Sequence, residues 1–126
     1  MGNFGKELIL DMHDCDVSKF NRKDIEDYFI QLCNLIDMVR MDLYFWDYLD
    51  AAEEDKPKLP EEAHLVGTSA IQFIRTSNVT IHTIDLFESV YLNIFSCKEF
   101  DEDVAKKFSE DFFRGNTVNF HVMDRV

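Results

Sequence analysis

Only two stretches of this chain carry a helical period, and both sit among short runs that alternate. Ile25, Tyr28, Phe29, Leu32, Ile36 and Val39 recur at helical spacing, with Asn21 placed to cap the N-terminus and Asp24 in the first turn. Val104, Ala105, Phe108 and Phe112 mark the inner face of a second helix over 99–113, and Gly115 stands just past its end. The other periodic segments read as strands: Lys6 to Met12, Met41 to Trp46, Ser69 to Arg75, Asn78 to Ile84, Ser89 to Ser96 and Thr117 to Met123. A two-residue period sends Val79, Ile81 and Thr83 to one face of their strand, and Thr80 and His82 to the other. The order β-α-β-β-β-β-α-β implies an α+β fold, a single mostly antiparallel sheet with two helices on one face. The second face then needs a cover, which makes self-association physically reasonable.

A chain of 126 residues reads as a single domain, 1–126, with room for one core. Its 46% apolar and 13% aromatic content excludes disorder as a class. The formal net charge of -12 argues against nucleic-acid binding, which needs a basic patch. No apolar run approaches the ~20 residues needed to cross a bilayer. The first residues lack the basic start and small-residue cleavage site of a signal peptide. Cys15, Cys33 and Cys97 show no disulfide spacing, which fits a reducing, cytoplasmic setting. Residues 47–66 hold both prolines and the acidic cluster Glu53-Glu54-Asp55. They read as a long surface loop with a helical turn around Leu49 to Glu54.

The chemistry-bearing residues concentrate between Ser69 and Cys97. Ser69, Ser77, His82 and Cys97 lie on short extended segments and suggest one shared cleft. On one straight strand, Ser77 and His82 would be roughly 16 Å apart at about 3.3 Å per residue. They meet only if the chain turns near Ser77 or neighbouring strands bring them together. Ser77 has no Gly-x-Ser-x-Gly elbow around it, which argues against a general serine hydrolase. His13, His64, His82 and His121 show no ligand spacing, and no metal is expected. Taken singly, His82 reads as a histidine bonded within the sheet, and Cys97 and Cys33 read as small buried hydrophobes.

Gly67-Thr68-Ser69, Thr76-Ser77-Asn78-Val79-Thr80-Ile81-His82-Thr83 and Phe95-Ser96-Cys97-Lys98 carry a more specific signal. In their residues and spacing they resemble the short prokaryotic class of the S-adenosylmethionine decarboxylase family. Gly5-Lys6-Glu7-Leu8-Ile9-Leu10-Asp11 and Cys15-Asp16 extend the likeness over nearly the whole chain. The resemblance implies a proenzyme that cleaves itself between Thr76 and Ser77 and converts Ser77 into a pyruvoyl group, with no metal. His82 would be the base for the elimination, Ser69 a hydrogen-bonding partner for the rearranging group, and Cys97 the later proton donor. The pyruvoyl carbonyl would take the substrate amine as a Schiff base and act as electron sink for decarboxylation in polyamine synthesis. Tyr48 would stack on the adenine of S-adenosylmethionine, and the protein would be a homodimer whose sheets pack face to face.

The chain also departs from the family. Thr76 stands where the family has an acidic residue, Asn78 where it has histidine, and Ile84-Asp85-Leu86 where it has Trp-Pro-Glu. Asp85 is one position from the lost glutamate and would face the wrong way on a regular strand. Phe87-Glu88-Ser89 replaces a tight Tyr-Gly-Tyr turn. The processing residues are thus kept while the substrate-facing carboxylates are not. Two other readings follow: a pyruvoyl decarboxylase of another amine, such as a basic amino acid, and an unprocessed, non-catalytic homologue that acts as a binding protein. The net charge alone suggests a third, an acidic interaction module.

Overall fold

The computed structural model describes residues 3–126. Six strands form one sheet in the order β2-β3-β4-β5-β1-β6. They span Gly5–His13 (β1), Arg40–Trp46 (β2), Ser69–Ile74 (β3), Ser77–Ile84 (β4), Ser89–Ser96 (β5) and Asn116–Arg125 (β6). Every pairing is antiparallel. Helices α1 (Arg22–Leu35) and α2 (Glu102–Phe113) share one buried cluster with the sheet.

Alternation decides which side chains join that cluster. Leu8, Leu10 and Met12 of β1, Val79 and Ile81 of β4, and Val90, Leu92 and Ile94 of β5 are buried together. From the helices come Ile25, Tyr28, Phe29, Leu32, Ala105 and Phe113. Tyr28 fixes one helix against the other. Its ring lies 4.9 Å from that of Phe113 and 5.6 Å from that of Phe108, and its hydroxyl meets Ser109 Oγ at 2.7 Å. The hydroxyl is therefore satisfied inside an apolar layer, where an unpaired one would cost about 1–3 kcal/mol.

The opposite face lacks such a layer. Tyr44, Ile71, Phe73 and Tyr91 are exposed on it, and Trp46 keeps 67% of its surface. Between β1, β5 and β6 this face turns polar. Glu7 accepts hydrogen bonds from Asn93 at 2.9 Å and Arg125 at 2.8 Å, and Asp11 accepts one from Asn119 at 3.1 Å.

Several boundaries differ from the sequence reading, each for a local reason. Asn21 does cap α1, accepting from Asp24 N at 2.9 Å. The helix ends at Leu35 because Asp37 turns into the left-handed region at φ 59, which leaves Val39 exposed. Helix α2 begins at Glu102, not Glu99, because Asp101 accepts from the backbone of Asp103 and Val104. Glu99 and Glu102 instead hold the buried ammonium of Lys6. Arg114, at φ 53, takes the left-handed position that ends α2. Gly115 is small for another reason: a Cβ there would collide with Cys15 Sγ. Arg75 and Thr76 form a two-residue turn between β3 and β4, so β3 stops at Ile74 and β4 starts at Ser77. The long loop carries 3-10 turns at Glu53–Asp55 and Ala63–Leu65.

Candidate active site

The β3–β4 register places Ser69 directly opposite His82. Both point to the uncovered face, where opposed side chains on adjacent strands lie within reach. Ser69 Oγ is 2.7 Å from His82 Nδ1. With Nδ1–H donating to the serine, Nε2 is free to accept a proton. The pair lines a hollow of about 340 Å³ with Tyr44, Trp46 and Ile71.

The other end of β4 is built differently. Thr76 lies at φ 57, a conformation a β-branched residue rarely adopts, and strain of that kind is worth about 1–3 kcal/mol. The following peptide bond leads into Ser77, whose side chain is buried. Pairing of β4 with β5 brings Cys97, just past the end of β5, beside this turn. Cys97 N donates to Ser77 Oγ at 3.0 Å. Thr76 Oγ1 lies 3.0 Å from Cys97 Sγ and 2.7 Å from Arg75 O. The hydroxyls of Thr76 and then Ser77 hold the Cys97 thiol below its ordinary pKa by favouring the thiolate. By contrast, burial pushes the Cys15 and Cys33 thiols up to about 11. Thr76 and Ser77 line a second hollow, of about 440 Å³, with Phe73, Asn78 and Phe95. Phe73 and Asn78 also belong to the uncovered face, so both hollows open on the same side of the sheet.

Neighbouring strands therefore bring Ser77 to Cys97 and Ser69 to His82, but they do not unite the two pairs. β4 is regular from Ser77 to Ile84, and its alternation puts the Ser77 side chain on the helix-covered face and His82 on the other. Five residues of extended strand separate them by roughly 16 Å. The expectation that all four meet in one cleft is not met within a single chain. Tyr48 is not beside Ser77 either. It packs edge-on to Trp46, with ring centroids 6.2 Å apart, and lines a third hollow at the start of α1. Leu86, in the place of the missing glutamate, is exposed. Among the described residues, no group of three or more His, Cys, Asp or Glu side chains is gathered to hold a metal ion.

Two contacts were not legible in the sequence. Thr76 was marked as a lost acid, yet its hydroxyl contacts the thiol, a contact that depends on a turn geometry no spacing rule encodes. Trp46 was read only as part of an aromatic strand, and the β2–β3 register sets it opposite Ser69.

The comparisons with known proteins agree with this architecture. A family model described as S-adenosylmethionine decarboxylase matches residues 6–126. Among solved structures, the chain is similar to the adenosylmethionine decarboxylase from Aquifex aeolicus VF5, with a TM-score of 0.74. That alignment covers 99% of this chain and 92% of the other at 12% identity, which speaks for the fold. Comparison with curated protein sequences gave no match. Among the described residues, no helix is long and apolar enough to cross a membrane.

Proposed function

The chain belongs to the S-adenosylmethionine decarboxylase family, and from that membership we propose that it cuts its own backbone at Thr76–Ser77 and decarboxylates S-adenosylmethionine for polyamine synthesis. The observation that carries this reading is the contact set at the β3–β4 turn. A hydroxyl nucleophile follows a strained residue, and a thiol biased toward its thiolate stands against both.

The residues at this turn fit the formation of a pyruvoyl group. Ser77 Oγ attacks the Thr76 carbonyl carbon, the C–N bond breaks, and an ester links Thr76 to the Ser77 side chain. A base then removes the Ser77 α-proton. The Cα–Cβ double bond forms as the Cβ–Oγ bond breaks, and Thr76 leaves as a carboxylate. The dehydroalanine left at the new N-terminus adds water and loses ammonia, which gives the pyruvoyl group. Relief of the left-handed conformation at Thr76 lowers the barrier to the first step. The pyruvoyl group supplies the electron sink for decarboxylation. Cys97 returns a proton afterwards, a role supported by a thiol held below its ordinary pKa.

The base in this scheme is His82, oriented by Ser69, and it comes from a second copy of the chain. The intrachain separation of roughly 16 Å supports this arrangement. The bare aromatic face and the two hollows opening on it favour a face-to-face homodimer. With two β4 strands crossing antiparallel about a two-fold axis, the Ser77 end of each faces the Ser69–His82 end of the other.

Intact-mass measurement of the purified protein tests the proposal. Fragments 1–76 and 77–126 in place of the 14.9 kDa chain are expected, together with inactivation by phenylhydrazine. A stable full-length chain would instead mark a non-catalytic homologue. A second reading, decarboxylation of another amine, is favoured by the absence of carboxylates at 76 and 86. Release of carbon dioxide from S-adenosylmethionine or from basic amino acids, assayed in parallel, separates the two.

A further inference from the structure

A charged residue occupies a position that the sheet's alternation reserves for the core. The period that buries Leu8, Leu10 and Met12 of β1 also buries Lys6. Lysine is almost never fully buried unless its charge is paired. The Lys6 ammonium meets Glu102 at 2.7 Å and also Glu99, and it lies 4.8 Å from the centroid of the Phe100 ring. Burial alone would lower the Lys6 pKa, but the hydrogen bonds and charge of Glu102 and Glu99 outweigh it and hold the ammonium above the usual lysine range.

The cluster stands beside Cys97. Lys6 lies opposite Ser96 in the β1–β5 register. The preceding Gly5 passes so close that a Cβ there would overlap Ser96 O and Cys97 Cα. The chain leaves β5 at Ser96, carries Cys97 past this point, and folds back onto Lys6 before entering α2 at Glu102. Glu99 and Glu102 therefore fasten the middle and the far end of the segment whose first residue bears the thiol. The near end has another tie, from Lys98 Nζ to the Asp37 carbonyl at 2.6 Å and to its carboxylate at 2.7 Å. The Asp37 side chain is 94% exposed, and exposed pairs hold weakly. Lys6 is the buried fastening of this segment.

We propose that Lys6 is a positioning residue for Cys97: by gripping Glu99 and Glu102 it sets the course of the 97–102 segment and so holds the thiol against Thr76. The inference rests on the reading of Cys97 as the proton donor, and it adds a residue that acts through the backbone rather than on the sulfur. A thiol 3.0 Å from a single hydroxyl tolerates little shift of its own backbone. An apolar residue at position 6 would fill the same place in the core, so packing alone does not call for a charge there. The Glu99 side chain is 87% exposed and that of Glu102 is partly exposed, so both carboxylates can return to water if the lysine is lost.

The test uses the full-length Ser77→Ala chain, which stays uncut and keeps Thr76, the first of the two hydroxyls that act on the thiol. The rate of Cys97 alkylation by iodoacetamide is followed against pH, with Tm measured alongside. Lys6→Met keeps an apolar stem and is expected to raise the midpoint of the profile by roughly half a pH unit or more, toward that of an ordinary thiol. Glu99→Ala is expected to move it the same way. Loss of a negative charge would by itself lower a thiol pKa, so a rise in Glu99→Ala reports lost positioning and not altered charge. Lys6→Arg, which keeps a cation for both carboxylates, should stay closer to the parent profile than Lys6→Met. A midpoint unmoved or lowered in Lys6→Met or Glu99→Ala would overturn the proposal, even with a lower Tm, because the cluster would then be structural only. A Lys6→Arg profile displaced as far as that of Lys6→Met would overturn it too. None of these outcomes bears on cleavage at Thr76–Ser77, which is read separately by mass in the unsubstituted protein.

Discussion

The two ends of β4 solve the same problem, holding reactive side chains in contact, by different physical means. At the His82 end, plain antiparallel register is sufficient: Ser69 and His82 are opposite, on one face, and touch without distortion. At the Ser77 end, register alone would not suffice. The contact depends on a turn residue in a rarely populated conformation and on a thiol from just beyond a neighbouring strand. Regular pairing thus builds the Ser69–His82 contact, whereas irregular backbone builds the contacts among Thr76, Ser77 and Cys97. A regular strand also keeps its two ends apart, so the two sets of contacts stay separate within one chain.

The strongest way to sharpen that contrast is to remove one end at a time. Ser77→Ala should abolish chain cleavage altogether, seen as a single intact mass. His82→Ala should slow it by roughly 10²-fold or more, the usual contribution of a positioned base. Equal loss from substitution of Arg114, remote from both ends, would show that the effect is only structural.

Next in size is the recovery on mixing. If each site draws its hydroxyl from one chain and its imidazole from another, co-refolded Ser77→Ala and His82→Ala chains should regain cleavage. About half of the His82→Ala chains should be cut at equal mixing, because each heterodimer has one intact site. No recovery in a demonstrated mixed dimer would return the base to the same chain and break the comparison.

A smaller effect concerns the thiols. Near pH 8, Cys97 should react with iodoacetamide more than ~100-fold faster than Cys15 or Cys33 in the folded chain, because burial holds those two near 11. Its pKa is depressed, so the reactive form should already be present below the pH at which an ordinary thiol ionises. Thr76→Val removes the first hydroxyl and should move the rate profile to higher pH. An unmoved profile would mean that Thr76 does not act on the sulfur.

The smallest effect is on stability. In the Ser77→Ala background, Thr76→Gly should stabilise the fold by at most ~1 kcal/mol in urea unfolding, as relief of strain is partly offset by glycine's greater freedom when unfolded. Loss of more than that amount would rank the hydroxyl's contacts above the strain.

Much of this was legible in the residues because it depends on periodicity. The split of Val79, Ile81 and Thr83 from Thr80 and His82 follows from alternation, and the cap at Asn21 from residue type and spacing. The reading failed where the backbone leaves its regular path. Asp37 and Arg114 adopt left-handed conformations that sequence assigns more readily to glycine, so one helix was drawn too long and the other's end was credited to Gly115. A regular strand would turn Asp85 the wrong way, but the strand ends at Ile84 and Asp85 opens a 3-10 turn. The site residues were named from spacing, but their division into two pairs follows from register and face, which require the assembled sheet.

The order of the strands has a consequence for a nick at Thr76–Ser77. β1 belongs to the N-terminal piece, yet it lies between β5 and β6, which both belong to the C-terminal piece. β4 of the C-terminal piece lies in turn between β3 of the N-terminal piece and β5. The severed halves would be interlaced like the fingers of two hands, so neither could leave without unzipping whole ladders of backbone hydrogen bonds. Maturation would then create a new chain end inside an assembly that never comes apart.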